Sequence, residues 1–228
     1  PHPGMVMVGA DLEGLELRCL GHYLSPWDEG NFADVVLNGD IHQQNADRVG
    51  CTRKEVKTIT YAFIYGAGDA KLGHSLSPEL SDAQKKTLGQ DLRRKFLDAI
   101  PGLEPLIDAV KLKVREQGRL RGLDGRPIFC RAEHASLNYL LQSAGAILSK
   151  RWVLISQEFL DAAGLTYNTD YTRCAYVHDE QQFSVLPKEA ERVAKLLVDA
   201  APIAGQYYKF KVPITAASDI GNSWAATH

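Results

Sequence analysis

Cysteine is scarce in this chain. Cys19, Cys51, Cys130 and Cys174 are the only four among 228 residues, and no two form a C-x-x-C pair. That spacing argues against a zinc site and more strongly against a disulfide framework, so four reduced thiols are expected. An excess of charge of either sign is also missing. Lys plus Arg number 26 and Asp plus Glu 28, a formal net charge of −2. Bulk charge therefore gives no reason to expect nucleic acid, and any such contact must come from a local basic stripe. No apolar run reaches the roughly 18 residues a membrane-spanning helix needs. Pro1-His2-Pro3-Gly4 lacks the basic start and apolar stretch of a signal peptide. A cytoplasmic protein with no membrane partner is expected. Internal repeats, low-complexity tracts and clear linkers are absent as well.

Apolar residues make up 45% of the chain and charged residues 24%, an ordinary globular composition. The length suits one or two domains with a real core. Met5 to Ala10 reads as a buried strand ending at Asp11, and Leu15, Leu17, Cys19, Leu20, Tyr23 and Leu24 follow spacing closer to helical than to alternating. Short helical signals follow over Asp28–Asn38, then Arg53 to about Tyr65 with Thr52 as N-cap, Ser81–Ile100 and Glu104–Gln117. A hairpin is expected across Asp124-Gly125-Arg126, and a long helix from about His134 to Ala163. Thr172–Val177 and Gln181–Leu186 read as strands joined by the turn His178-Asp179-Glu180. Pro187 then suits the first turn of a helix to about Ala201, and Phe210–Ile214 reads as a last strand. Strands at both ends around a helical middle give an α+β class: a small antiparallel sheet with a helical insertion.

Three constellations carry chemistry. Asp11, in Asp11-Leu12-Glu13-Gly14-Leu15-Glu16, places a carboxylate at the end of a buried strand, where a helix cap or turn former is the plain alternative. Asp179 lies in a turn between two apolar strands. Asp there is ordinarily turn chemistry, but His-Asp-Glu is an odd sequence for a tight hairpin. Two strand-end acids in one small sheet could converge, and such a pair is costly unless divalent cations neutralise it, as at a phosphoryl-transfer site. The third is Arg53, Lys57, Tyr61 and Tyr65, spaced by four and therefore on one helix face. A solvated basic end followed by an aromatic core end is the plain alternative. Two cations followed by two aromatics also suit a nucleotide triphosphate.

In order, D-L-E-G-L-E-L-R, R-x-x-x-K-x-x-x-Y-x-x-x-Y-G and V-H-D-E resemble motifs A, B and C of the A-family, DNA polymerase I-like DNA polymerases, especially the bacteriophage branch. N-G-D-I-H ending at His42, D-G-R-P at Asp124, N-Y-L-L-Q-S-A-G from Asn138 and the terminal N-S-W-A-A-T-H match as well. The resemblance implies a palm of about residues 1–28 and 119–228 and fingers of about 29–118. It implies two Mg2+ ions held by Asp11, Asp179 and the Leu12 carbonyl. Arg53, Lys57 and His42 would grip the dNTP, with Lys57 as general acid. Tyr61 would stack by sugar and base, Tyr65 would close the site near the template, and Glu16 would exclude a 2′-hydroxyl. Asn138 and Gln142 would read the minor groove of the primer-template DNA. His134 and His178 would help, a structural role being equally open for His134, and Glu180 would be a further site residue flanking Asp179.

Glu13 stands where the family usually has serine, and is expected as an extra acid beside the metal site. Ala62 and Gln181 also depart from the common pattern. A single-subunit RNA polymerase is disfavoured by Glu16, Tyr61 and Glu180, where that group carries Gly, Met and Ser. A catalytically silent DNA-binding or assembly module is the rival from another class. Only Pro1 to Ala10 precede motif A. The family's thumb, earlier palm strands and exonuclease lie upstream of that point. The chain is therefore expected to be one piece of a polymerase, paired with a second polypeptide carrying the thumb, with or without an exonuclease.

Overall fold

A computed structural model describes residues 1–228. The elements in order are β1 (Val6–Leu12), α1 (Leu15–Asp28), α2 (Asn31–Asn38), α3 (Ile41–Val49), α4 (Arg53–Ile64), α5 (Asp69–Leu76), α6 (Asp82–Ala99) and α7 (Leu103–Gln117). They continue with β2 (Arg119–Arg121), β3 (Pro127–Phe129), α8 (Ser136–Ala162), β4 (Tyr171–Val177), β5 (Glu180–Val185), α9 (Ala190–Tyr207) and β6 (Ala216–Gly221). The class is α+β with a small antiparallel sheet, as expected. No helix is long and apolar enough to cross a membrane, and all four cysteines are free thiols. Two compact units form, one from residues 1–18 and 144–228 and the other from residues 19–143.

The first unit is built on a four-stranded sheet of order β4-β5-β1-β6, antiparallel throughout. Side chains alternate between its faces. Val8, Ala10 and Leu12 of β1 are buried together with Phe183 and Val185 of β5. Trp152 of α8 is fully buried and donates its indole N–H to the Leu197 carbonyl of α9 at 2.8 Å. On the other face, Gly9 of β1 stands opposite Gln182 of β5, and residues 224–228 cover that pair. A Cβ on Gly9 would lie 2.3 Å from the Thr227 carbonyl oxygen and 2.4 Å from Gln182 Nε2. Glycine is what lets the last residues cross this strand. β5 is buried along its whole length because both of its faces are covered.

The expected strand at Phe210–Ile214 is not formed; the last strand is β6. Val212 and Ile214 are fully buried but pack without a ladder, Ile214 against Gly205. Pro213 between them has no N–H to give a sheet. β6 is an edge strand whose residues, Ile220 apart, are small or polar, and so lacks the alternation that marks a half-buried strand.

The second unit is helical. Phe63 of α4 packs on Phe96 of α6 with ring centroids 4.8 Å apart. α5 and α6 meet backbone to backbone. A Cβ on Gly73 would fall 1.9 Å from the Lys85 carbonyl oxygen, and one on Gly89 would fall 1.7 Å from that of Asp69. Capping boxes start α4 (Thr52 with Glu55) and α6 (Ser81 with Gln84). α2 begins at Asn31 and not at Asp28. Glu29 and Gly30 take left-handed φ values of 56° and 86°, and the Asp28 carboxylate caps the amides of Gly30 and Phe32. α3 and α5 are the two helices not expected from the sequence.

Candidate active site

In the first unit, antiparallel register places Asp11 of β1 directly opposite Glu180 of β5. Asp179 is therefore one residue beyond that pair, in a two-residue turn whose His178 has φ 55°. The Leu12 amide donates to the Asp179 carbonyl at 3.0 Å, so the two aspartates ride on hydrogen-bonded backbone. Ser149 of α8 donates to the His178 carbonyl at 2.9 Å, and the Tyr176 hydroxyl donates to Ser149 at 3.0 Å, bracing the turn.

The electrostatics of the pair are unfavourable for two charges. Asp11 keeps exposed surface, yet the protein beneath strips part of its hydration. With Asp179, Glu180 and Glu16 adding repulsion, its carboxyl is pushed up to about 6. Asp179 is raised as well, by burial first and then by Glu16. Glu16, in the first turn of α1, thus faces both. Glu180 behaves differently. Burial alone would raise it, but hydrogen bonds from Gln182, His228 and Trp224 outweigh burial and hold it below the usual range. Trp224 Nε1 and Gln182 Nε2 lie 2.6 and 2.5 Å from one carboxylate oxygen, and His228 Nδ1 lies 2.7 Å from the other. Both oxygens of Glu180 are engaged.

Glu13 does not join the acids, contrary to expectation. Its carboxylate accepts from the Thr215 hydroxyl at 2.7 Å. Arg18, buried, donates to the Glu13 carbonyl, to Thr215 Oγ1 and to the Pro213 carbonyl. The glycine turn after Leu12 directs Glu13 toward this arginine and away from Asp11.

In the second unit, Arg53, Lys57, Tyr61 and Tyr65 share one face, bordered by the buried Val56, Ile59, Thr60, Phe63 and Ile64. Tyr65 sits just past the end of α4 and is 51% exposed, so the aromatic end of the stripe is not core. The Tyr61 ring lies 6.2 Å from that of His42. His42 is buried with Nδ1 lacking a partner. Burial first, and then Arg53 and Lys57, hold its imidazole below the usual histidine range, hence neutral. Arg53 pairs with Asp40 at 2.7 Å, while Glu55 is committed to its capping box. Asn138 and Gln142 lie one turn apart at the start of α8. Asn138 and His134 line a cavity of about 390 Å³ with Phe63, Arg93 and Lys111.

The lineage follows from comparison with known proteins. The sequence profile of DNA polymerase family A matches residues 1–226. The chain belongs to DNA polymerase family A. The DNA-directed DNA polymerases of Escherichia phage T7 and Enterobacteria phage T3 are each 34% identical to it over 244 residues, covering 98% of this chain and 33% of theirs. DNA polymerase I of Aquifex aeolicus is 28% identical, covering 97% of this chain and 39% of its own length. The POL domain of Pol1 from M. smegmatis, solved in complex with DNA primer-template and dNTP, shares the fold with a TM-score of 0.79 at 22% identity. That match covers 99% of this chain and 41% of the solved one. This family-A chain thus spans about a third of the length of its phage relatives.

Several residues around the site of this family-A chain escaped the sequence reading: Arg18, Asp40, Gln182, Thr215, Trp224 and His228. Asp40 had a usable signal, an acid directly before a helix start. Trp224 and His228 lay inside a recognised motif without an assigned partner. Arg18 and Thr215 meet across nearly the whole length of the chain, which no local pattern reports.

Proposed function

We propose that this chain is the palm-and-fingers portion of a DNA polymerase (palm about 1–28 and 119–228, fingers about 29–118). It would catalyse template-directed nucleotidyl transfer from a dNTP to a primer 3′-hydroxyl in phage-type DNA replication. The observation that carries the reading is the Asp11–Asp179 pair, two carboxylates on adjoining strand ends with raised pKa values. Two hard oxygen donors of this kind suit Mg2+, and the Leu12 carbonyl would complete the set that holds two such ions. When bound, such ions supply Lewis acidity at the attacking and leaving oxygens.

The remaining roles belong to side chains. Arg53 and Lys57 meet the triphosphate, and neutral His42 adds a hydrogen bond without a third charge. Lys57, exposed and outside any ion pair, is free to give a proton to the departing pyrophosphate. Tyr61 lies by sugar and base, Tyr65 closes toward the template, and Glu16 excludes a 2′-hydroxyl. Asn138 and Gln142 contact minor-groove acceptors that every base pair presents, so they check pair geometry and not sequence. His134 and His178 add contacts to the primer-template.

Primer extension with Mg2+ tests this reading. Asp179→Ala should lose about 10³-fold or more in rate, because charge stabilisation at the transferring phosphoryl dominates this chemistry. Near-normal extension by that variant refutes the site. A second reading, that the chain is silent without a partner polypeptide bearing the thumb, is favoured by its spanning 33% of its phage relatives.

A further inference from the structure

Asp40 is not itself among the groups assigned to the nucleotide, yet each of its carboxylate oxygens has a separate task. Oδ1 accepts the Gln43 amide at 3.0 Å and caps α3. Oδ2 accepts Arg53 Nε–H at 2.7 Å, at the first turn of α4. One carboxylate therefore ties the start of the helix that carries His42 to the start of the helix that carries Arg53. Capping alone does not require Asp, since Ser or Asn serves as well. Stability alone is also a poor account, because a pair this exposed, 53% and 44% at the two side chains, adds little to folding.

We propose that Asp40 is a positioning residue for nucleotide binding, clamping Arg53 by Nε so that its terminal amino groups are presented to the triphosphate. Arginine has five N–H donors in a planar fork. With Nε held, the four on the two terminal nitrogens stay free, and these suit bidentate contact with phosphate oxygens. Arg53 is long and half-exposed. Unclamped, it would have to be ordered when the nucleotide arrives, and that ordering weakens binding by about two- to tenfold. Bare Coulomb attraction predicts the opposite sign, because Asp40 is a negative charge placed near phosphates. The sign of the effect thus separates a clamp from a bystander.

The inference rests on the α4 face receiving the triphosphate, and the test keeps the two apart. Asp40→Ser retains a capping side chain but is too short to hold Arg53. Asp40→Asn keeps the reach and offers a neutral acceptor. Calorimetric titration with dATP and Mg2+ should show Asp40→Ser binding about two- to tenfold more weakly than wild type, with an unchanged melting temperature and affinity restored in Asp40→Asn. In an Arg53→Ala background Asp40→Ser should add nothing, since the partner is gone. Asp40→Ser binding dATP as tightly as wild type, or more tightly, overturns the clamp. So does a further loss in the Arg53→Ala background. If Arg53→Ala and Lys57→Ala both leave dATP binding unchanged, the triphosphate reading itself falls and the clamp with it. Loss in those two variants without loss in Asp40→Ser rejects the clamp alone.

Discussion

Asp11 shows how much an unneutralised carboxylate can cost its own fold. Its carboxyl is raised from 3.8 to about 6 by burial first and then by neighbouring acids. Between those values the folded protein holds a proton that the unfolded chain releases. Stability therefore falls as pH rises through that window and stays lower above it. Asp11→Asn should melt higher than wild type at about pH 7 in chelator and no higher at about pH 3.5, where both forms are neutral. Adding Mg2+ should shrink or reverse the gap at neutral pH, since only the wild type keeps both acids proposed to hold it. A wild type that out-melts Asp11→Asn in chelator at neutral pH contradicts this account. Glu180, a neighbouring acid, escapes the same cost because three donors satisfy its oxygens.

Helix packing offers a case where a general rule should reverse. Gly→Ala inside a helix ordinarily stabilises by up to about 1 kcal/mol. Gly89 lies inside α6, but its Cα faces the Asp69 carbonyl so closely that a Cβ would sit 1.7 Å from the oxygen. The obstacle is backbone and cannot rotate away. Gly89→Ala should destabilise by about 2 kcal/mol or more as α5 and α6 are forced apart, read as a lowered denaturant midpoint. A neutral or stabilised variant means the two helices do not meet as described. This contact also marks where the sequence stops being legible. α4 could be read because its cap, its apolar face and its Arg53–Tyr65 stripe are all local. Asp11 and Asp179 could be singled out because one closes an apolar strand and the other lies in the turn between two strands. The Gly73–Gly89 crossing, the Arg18–Thr215 bridge and the tail over Gly9 depend on residues far apart in the chain. β6 was missed because an edge strand of small residues carries no alternation.

Across the whole molecule, charge limits what this chain can grip. Its formal net charge is −2, and much of the basic charge in 85–126 is already paired. Arg93 meets Asp69, Arg94 and Lys95 meet Asp91, Arg115 meets Glu133 and Arg126 meets Asp124. Duplex binding requires neutralising several phosphates with cations not otherwise engaged. The chain alone should therefore hold primer-template weakly at near-physiological salt and extend it poorly. Supplying the remaining portion of a family-A polymerase as a second polypeptide should restore both, as read by size exclusion and primer extension. A monomer that binds tightly and extends unaided refutes the split-enzyme reading.

The unit bearing Asp11 and Asp179 is drawn from two stretches, 1–18 and 144–228, with all of 19–143 between them. β1 finds its partners only in β5 and β6, at the far end of the chain. On the ribosome, then, β1 waits for β5 and β6 while the residues between them are translated. The helical unit has its whole sequence in hand well before the sheet does, and closes on shorter loops. Until β5 arrives, Val6-Met7-Val8 is a bare apolar edge, the kind of segment that aggregates or occupies a chaperone. The Asp11 and Asp179 carboxylates thus come together late, after the helical unit, and conditions that slow translation lengthen the exposure of β1.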